Sequence, residues 1–203
     1  LKGLALSAFV AGPAALFMSL QAENIILLLL GDQWVQTVSV LTVLAPFAFF
    51  RVMVLVYSTY YRALGRTRVL IEHNGAYVLL IIASTIFGSR YGLVGVAAGV
   101  GFAATCHWLA YTARILRSLD ISLARFLSVF LPAFVVSLVV ALAISAAKVA
   151  WPHFGNVASL LMAGVTTALA AIGFFLVMPE RGYRNEARAV YELCNGLLGR
   201  LVR

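Results

Sequence analysis

Arg51, Ser58, Arg62 and His107 are the residues of this chain with the most chemistry to offer, and each stands in a long apolar run or at its edge. Arg51 lies near the middle of the run from Val35 to Tyr61. A guanidinium at the centre of a bilayer costs roughly 2.5–3.5 kcal/mol on insertion scales, so such a side chain is expected to face a bundle interior or a wet cavity. On a helix its face also carries Leu44, Phe47, Val54, Leu55, Ser58 and Arg62. That face is greasy around Arg51 and turns polar toward one end, where Ser58, Thr59, Tyr60, Tyr61 and Arg62 add hydroxyls and positive charge. A cationic path of this kind suits an anionic headgroup such as a phosphate, which the planar donor fork of arginine can grip. His107, deep in a later run beside Thr105 and Trp108, could relay protons or bond a substrate. Plainer roles compete with each of these. Arg51 could bond the carbonyls of a neighbouring helix, as could His107, and Tyr57, Tyr60 and Tyr61 could form an aromatic belt at the membrane surface.

The elements that must carry these residues are read from composition. Hydrophobic residues make up 63% of the 203 residues and charged ones 11%, with a mean hydropathy of +1.01. A water-soluble domain carries about 25% charge and 45–50% apolar residues, so the excess points to an all-α integral membrane protein. The net charge of +8 raises nucleic acid as a partner, but the basic residues sit at the ends of apolar runs and nowhere interleave with aromatics, so none is expected.

Six runs are long enough to cross the hydrocarbon core, which takes about 20 residues of helix. They are residues 3–20, 35–61, 69–87, 91–115, 126–147 and 157–178, and together they predict a six-transmembrane-helix lobe over residues 1–178. The breaks carry turn chemistry: Gly31-Asp32-Gln33, Gly65-Arg66-Thr67, Gly88-Ser89-Arg90, Leu119-Asp120-Ile121-Ser122 and Trp151-Pro152-His153. Short connections imply antiparallel neighbours and a compact up-down bundle. Pro13 and Pro46 fall inside runs and are expected to kink them, whereas Pro132 reads as a first-turn proline of the fifth run. The segment Glu23–Leu30 is too short to span and reads as an interfacial or partly re-entrant turn of helix. Gly95 and Gly99, with Ala97 and Gly101 nearby, give the fourth run the small-residue spacing of close helix packing.

Orientation follows from the arginines and lysines. Lys2, Arg62, Arg66, Arg68, Arg114, Arg117, Arg125, Arg181, Arg184, Arg188, Arg200 and Arg203 fall on one side, Arg90 and Lys148 on the other. The positive-inside bias places the first group, and with it both ends of the chain, in the cytoplasm. Residues 179–203 form a C-terminal amphipathic tail. Its apolar Ala187, Val190, Tyr191, Cys194, Leu197, Leu198, Leu201 and Val202 keep helical spacing, which predicts an interfacial helix against anionic membrane lipids. The chain opens at Leu1 directly into an apolar run, and we read it as a fragment that lacks its N-terminal part.

Enzyme signatures are absent from the sequence: no P-loop, nucleophile elbow or HExxH, and no metal-spaced cluster. No catalytic residue, metal or cofactor is therefore expected. Cys106 and Cys194 read as unpaired thiols. None of the seven acids lies in the centre of a run. Glu72, His73 and Asn74 open the third run as an interfacial cluster in which Glu72 can pair with Arg66 or Arg68.

Three stretches taken together resemble the C-terminal half of bacterial polysaccharide flippases, of the multidrug/oligosaccharidyl-lipid/polysaccharide exporter superfamily. They are Leu28-Leu-Leu-Gly-Asp-Gln-Trp34, Tyr61-Arg-Ala-Leu-Gly-Arg-Thr-Arg68 and Tyr91-Gly-Leu-Val-Gly-Val-Ala-Ala-Gly99. The resemblance implies a multi-pass protein of the bacterial inner membrane that moves an undecaprenyl-diphosphate-linked oligosaccharide between leaflets. It also implies a second, N-terminal six-helix lobe as partner across a central cationic cavity. Arg51, Ser58, Arg62 and His107 are then the candidate substrate-binding residues. The alternatives are a cation-coupled multidrug exporter of the same superfamily, which calls for a mid-membrane carboxylate, a membrane enzyme such as a polysaccharide polymerase, or a membrane module without transport function.

Overall fold

The computed structural model describes residues 2–150 and 156–177. The C-terminal tail, and with it Cys194, lies outside them. Seven α-helices account for nearly all of the described chain: α1 (Lys2–Leu20), α2 (Ala22–Leu29), α3 (Gln36–Ala63), α4 (Thr67–Gly88), α5 (Gly92–Leu119), α6 (Leu123–Ala150) and α7 (Asn156–Val177). Four helical stretches are long and apolar enough to cross a membrane: Gly3–Leu20, Gln36–Ala63, Thr67–Leu119 and Leu123–Lys148. The third of these, 53 residues long, would reach about 80 Å if straight, more than twice the hydrocarbon thickness. It is instead folded back on itself into α4 and α5, joined by a single 3₁₀ turn at Ser89–Tyr91.

The outer surface carries many large apolar side chains, consistent with a membrane protein. Val10, Leu55, Ile71, Leu79, Ile86, Phe134 and Leu142 are each between 61% and 73% exposed and come from four different helices. A soluble protein would not leave so many large side chains open to water.

Contacts run in a fixed order across the molecule. α4 packs along α5, α5 along α3, α3 along α1, α1 along α6, and α6 along α7. The helices thus form a row rather than a simple ring of sequence neighbours. α4 and α5 are antiparallel, since Glu72 meets Arg114, His73 meets Tyr111, Tyr77 meets His107, and Ser84 meets Gly99. α3 runs parallel to α5, with Phe50 against Trp108 and Tyr57 against Thr112. The largest core joins Leu4, Met53, Tyr57, Tyr61, Val69, Tyr111, Ile115 and Phe126, drawn from five helices of the row. A smaller one sets Val136, Val140 and Ile144 of α6 against Ala163 of α7.

Among the described residues this topology gathers Arg62, Arg66, Arg68, Arg114, Arg117 and Arg125 at one end, with only Glu72 and Asp120 to offset them. The opposite end holds Arg90 and Lys148 against Glu23 and Asp32. At the arginine-rich end Glu72 bridges two helices, binding Arg68 at 3.0 Å and Arg114 at 3.5 Å, and Arg66 is not its partner.

Helix ends explain where the chain turns. α3 closes in a Schellman arrangement: Arg66 N–H donates to Tyr61 O and Gly65 N–H to Arg62 O, both at 3.0 Å, with Gly65 at φ +67°. α5 ends the same way, Ile121 N–H reaching Leu116 O at 3.1 Å, but the left-handed position is held by Asp120 at φ +50°. Its Cβ strains the turn, and its charge opposes the dipole of the helix end. Asp120→Gly is expected to stabilise the protein by about 1 kcal/mol in a thermal unfolding series in detergent.

Pro132 is a correction to the sequence reading. It is the tenth residue of α6, not a first-turn proline. The helix begins earlier because Ser122 caps it: Arg125 N–H donates to Ser122 Oγ at 3.4 Å and Phe126 N–H to Ser122 O at 3.0 Å. The segment read as a short interfacial piece is the helix α2. It follows α1 after Gln21, whose buried side chain lies beside Asn24 and Ser159 of α7 (Asn24 Nδ2 to Ser159 Oγ, 3.0 Å).

Candidate functional site

α5 forms the floor between α3 and α4. The latter two touch little: Tyr61 and Val69 join the same core beside their turn, and both helices pack along α5. The result is a cleft of about 170 Å³, open on one side. Arg51, Val54, Leu55 and Ser58 line it from α3, Asn74 and Tyr77 from α4, and Ala104 and His107 from α5. The α3 residues fall at i, i+3, i+4 and i+7, so a single face of that helix supplies them.

Three of the four sequence candidates, Arg51, Ser58 and His107, meet here. Arg62 does not. It lies eleven residues beyond Arg51, about 16 Å along the helix, exposed in the last turn of α3. It therefore belongs to the basic rim at that end rather than to the cleft wall.

Arg51 is the sixteenth of the 28 residues of α3, so it sits about as far from one helix end as from the other. Its side chain is exposed into the cleft, and no carboxylate or carbonyl among the described residues binds its guanidinium. The expectation of a neighbouring helix carbonyl as its partner is therefore not met among them. Five donor N–H groups stand ready for a ligand with planar or tetrahedral oxygens.

The polar groups around it are held in different ways. Ser58 Oγ donates to Val54 O at 2.9 Å, so its lone pairs remain while its proton is committed. His107 is 7% exposed and stacks flat on Tyr77, with ring centroids 4.3 Å apart and planes 8° from parallel. Neither His107 Nε2 nor the Tyr77 hydroxyl has a hydrogen-bond partner, although both atoms are buried. One helical turn away the pattern repeats: His73 stacks on Tyr111 at 4.3 Å, again with a buried Nε2 left unpaired. Buried polar atoms normally find partners, and an unpaired one costs about 1–3 kcal/mol. Two of them, on His107 and Tyr77, belong to residues that line the cleft, which suits a polar ligand there.

Asn74 and Tyr77 are the residues that the sequence reading missed in this site. Asn74 reads as part of an interfacial cluster with Glu72 and His73, and Tyr77 attracts no attention in an apolar run. The signal was their i, i+3 spacing, which puts both on one side of α4.

A second hollow, of about 630 Å³, lies between α4 and α5 nearer their 3₁₀ turn. Its wall is almost wholly apolar, with Phe87, Tyr91 and Phe102 around the small residues Ala83, Ala98 and Gly99. It offers nothing to an anion. No group of three or more His, Cys, Asp or Glu suited to a metal stands together among the described residues. Comparisons with protein-family models, with curated proteins and with solved structures find no match to this chain.

Proposed function

We propose that this chain is a six-helix lobe of a membrane flippase that carries a lipid-diphosphate-linked oligosaccharide across the bacterial inner membrane for polysaccharide biosynthesis. The observation that carries this reading is Arg51: mid-helix in an apolar bundle, unpaired, and open to a cleft lined by Ser58, Asn74, Tyr77 and His107. In this reading α1, α3, α4, α5, α6 and α7 each cross the bilayer once, and the arginine-rich end faces the cytoplasm.

The volume of the cleft suits a headgroup. It equals the liquid share of about six waters, enough for a phosphate group but not for an oligosaccharide. The diphosphate docks on Arg51, the sugar occupies the space outside the open side, and the lipid tail stays in hydrocarbon. A second lobe supplies the wall that this side lacks. Arg62 and its neighbours at the basic end draw the anionic cargo toward the cleft, an attraction that weakens with salt.

The reading is tested in proteoliposomes holding the intact protein and a fluorescent prenyl-diphosphate glycan in the inner leaflet. The glycan is expected to become accessible to external glycosidase only when the protein is present. Unchanged protection, with the protein folded and correctly inserted, removes transport of this cargo class.

A further inference from the structure

We infer that the cleft takes its anion together with one proton, which is carried by His107, so that cargo capture is linked to pH. This rests on the reading of Arg51 as the anion-binding group. His107 lines the same cleft as Arg51, and its buried Nε2 has no partner. The stack on Tyr77 fixes the plane of the ring. An imidazolium donates from both nitrogens and so needs an acceptor at each.

Nothing on the surrounding helices supplies the missing acceptor with a negative charge. Arg51 faces His107 from α3. From α4 come Tyr77, stacked on it, and His73 one turn away. Its own helix adds Tyr111, with ring centroids 5.1 Å apart. Among the described residues no carboxylate reaches the cleft, because Glu72 is held by Arg68 and Arg114 at the helix ends. The cargo must therefore bring the acceptor. A phosphate oxygen offers lone pairs to Nε2, and its negative charge favours the imidazolium over the imidazole. The proton enters from bulk water with the anion and returns there when the anion leaves, so charge and protons balance with no other group of the chain changing state.

The test is isothermal titration of the full chain in lipid nanodiscs, with inorganic pyrophosphate and farnesyl diphosphate as probes, each in two buffers of different ionisation enthalpy. The wild-type protein is expected to take up close to one more proton per bound anion than His107→Gln. Its affinity should gain several-fold per pH unit over that variant between about pH 8 and pH 6, the limit for one proton being about tenfold. Histidine-labelled wild-type protein gives a reading that needs no variant: the His107 imidazole signal should move to the charged form on adding the probe. Equal linkage for both probes assigns the site to the diphosphate itself. Linkage with the prenyl compound alone assigns it to a lipid headgroup, and either result supports the proposal. Binding that Arg51→Gln abolishes, with equal proton counts in wild type and His107→Gln and an unmoved imidazole signal, overturns the proton link and leaves the cargo reading intact. If neither probe binds the wild-type protein at any pH, both fall.

Discussion

Gly95→Val is expected to open the α4–α5 hairpin and remove most of the stability of this half of the molecule. A Cβ at Gly95 would drive into the carbonyl oxygen of Gly88, and a Cβ at Gly88 into the carbonyl oxygen of Gly95. One turn on, a Cβ at Gly99 would lie 2.6 Å from the carbonyl oxygen of Ser84. In all three places the obstacle is backbone, which cannot rotate away as a side chain can. Overpacking in a core costs about 1–3 kcal/mol where side chains can adjust, and a rigid obstacle belongs at or above the upper end. Replacing a helical glycine gains about 1 kcal/mol at most through helix propensity, and less for valine than for alanine, so the clash wins. Gly75 is the internal control. It sits on α4 with nothing within 4 Å of its would-be Cβ, so Gly75→Ala should be neutral or stabilise by up to about 1 kcal/mol. The pair is compared by reversible unfolding in mixed micelles. Equal stability for Gly95→Val and wild type would mean that the two helices are not packed backbone to backbone. Because Tyr77 and His107 face each other across the same helix pair, the variant should also disturb the cleft.

What could be read from the sequence, and what could not, follows from the period of each signal. Apolar run length located the long helices to within a few residues, since a helix that crosses hydrocarbon must be apolar nearly throughout. The observed helices mostly extend past those runs. α5 continues through Arg117 to Leu119 and α6 starts at Leu123, before Arg125, because a helix needs only backbone bonds and caps at its ends. The order of the row was not legible. Apolar side chains cover both the buried and the lipid-facing sides of every helix, so the sequence pattern does not say which side meets a neighbour. Leu55 and Val54 are adjacent and equally greasy, yet one is 62% exposed and the other packs against the core. In the cleft, Arg51 and His107 stood out because charge and imidazole are rare in hydrocarbon. Asn74 and Tyr77 did not, because asparagine beside a helix end and tyrosine in a membrane run are commonplace.

Arg51→Leu is expected to make the protein more stable and unable to transport. The two effects have opposite sign because the guanidinium, unpaired among the described residues, costs roughly 2.5–3.5 kcal/mol to keep at mid-membrane and gains it back from a bound anion. If Arg51 were a structural residue bonded within the bundle, its removal would leave buried acceptors unpaired and lower stability by about 1–3 kcal/mol. A charge-assisted hydrogen bond is worth about 1.5–3 kcal/mol, so apparent affinity for a prenyl diphosphate should fall about 10- to 150-fold in Arg51→Gln. Arg51→Lys keeps the charge but loses the fork, and should recover part of the affinity. Thermal unfolding in detergent and glycan transport in proteoliposomes, measured on the same preparations, read both quantities. A destabilised Arg51→Leu protein would make the residue a packing element, and full transport in Arg51→Gln would take it out of the cargo path. Higher stability with lost transport is the result that only a cation reserved for its cargo produces.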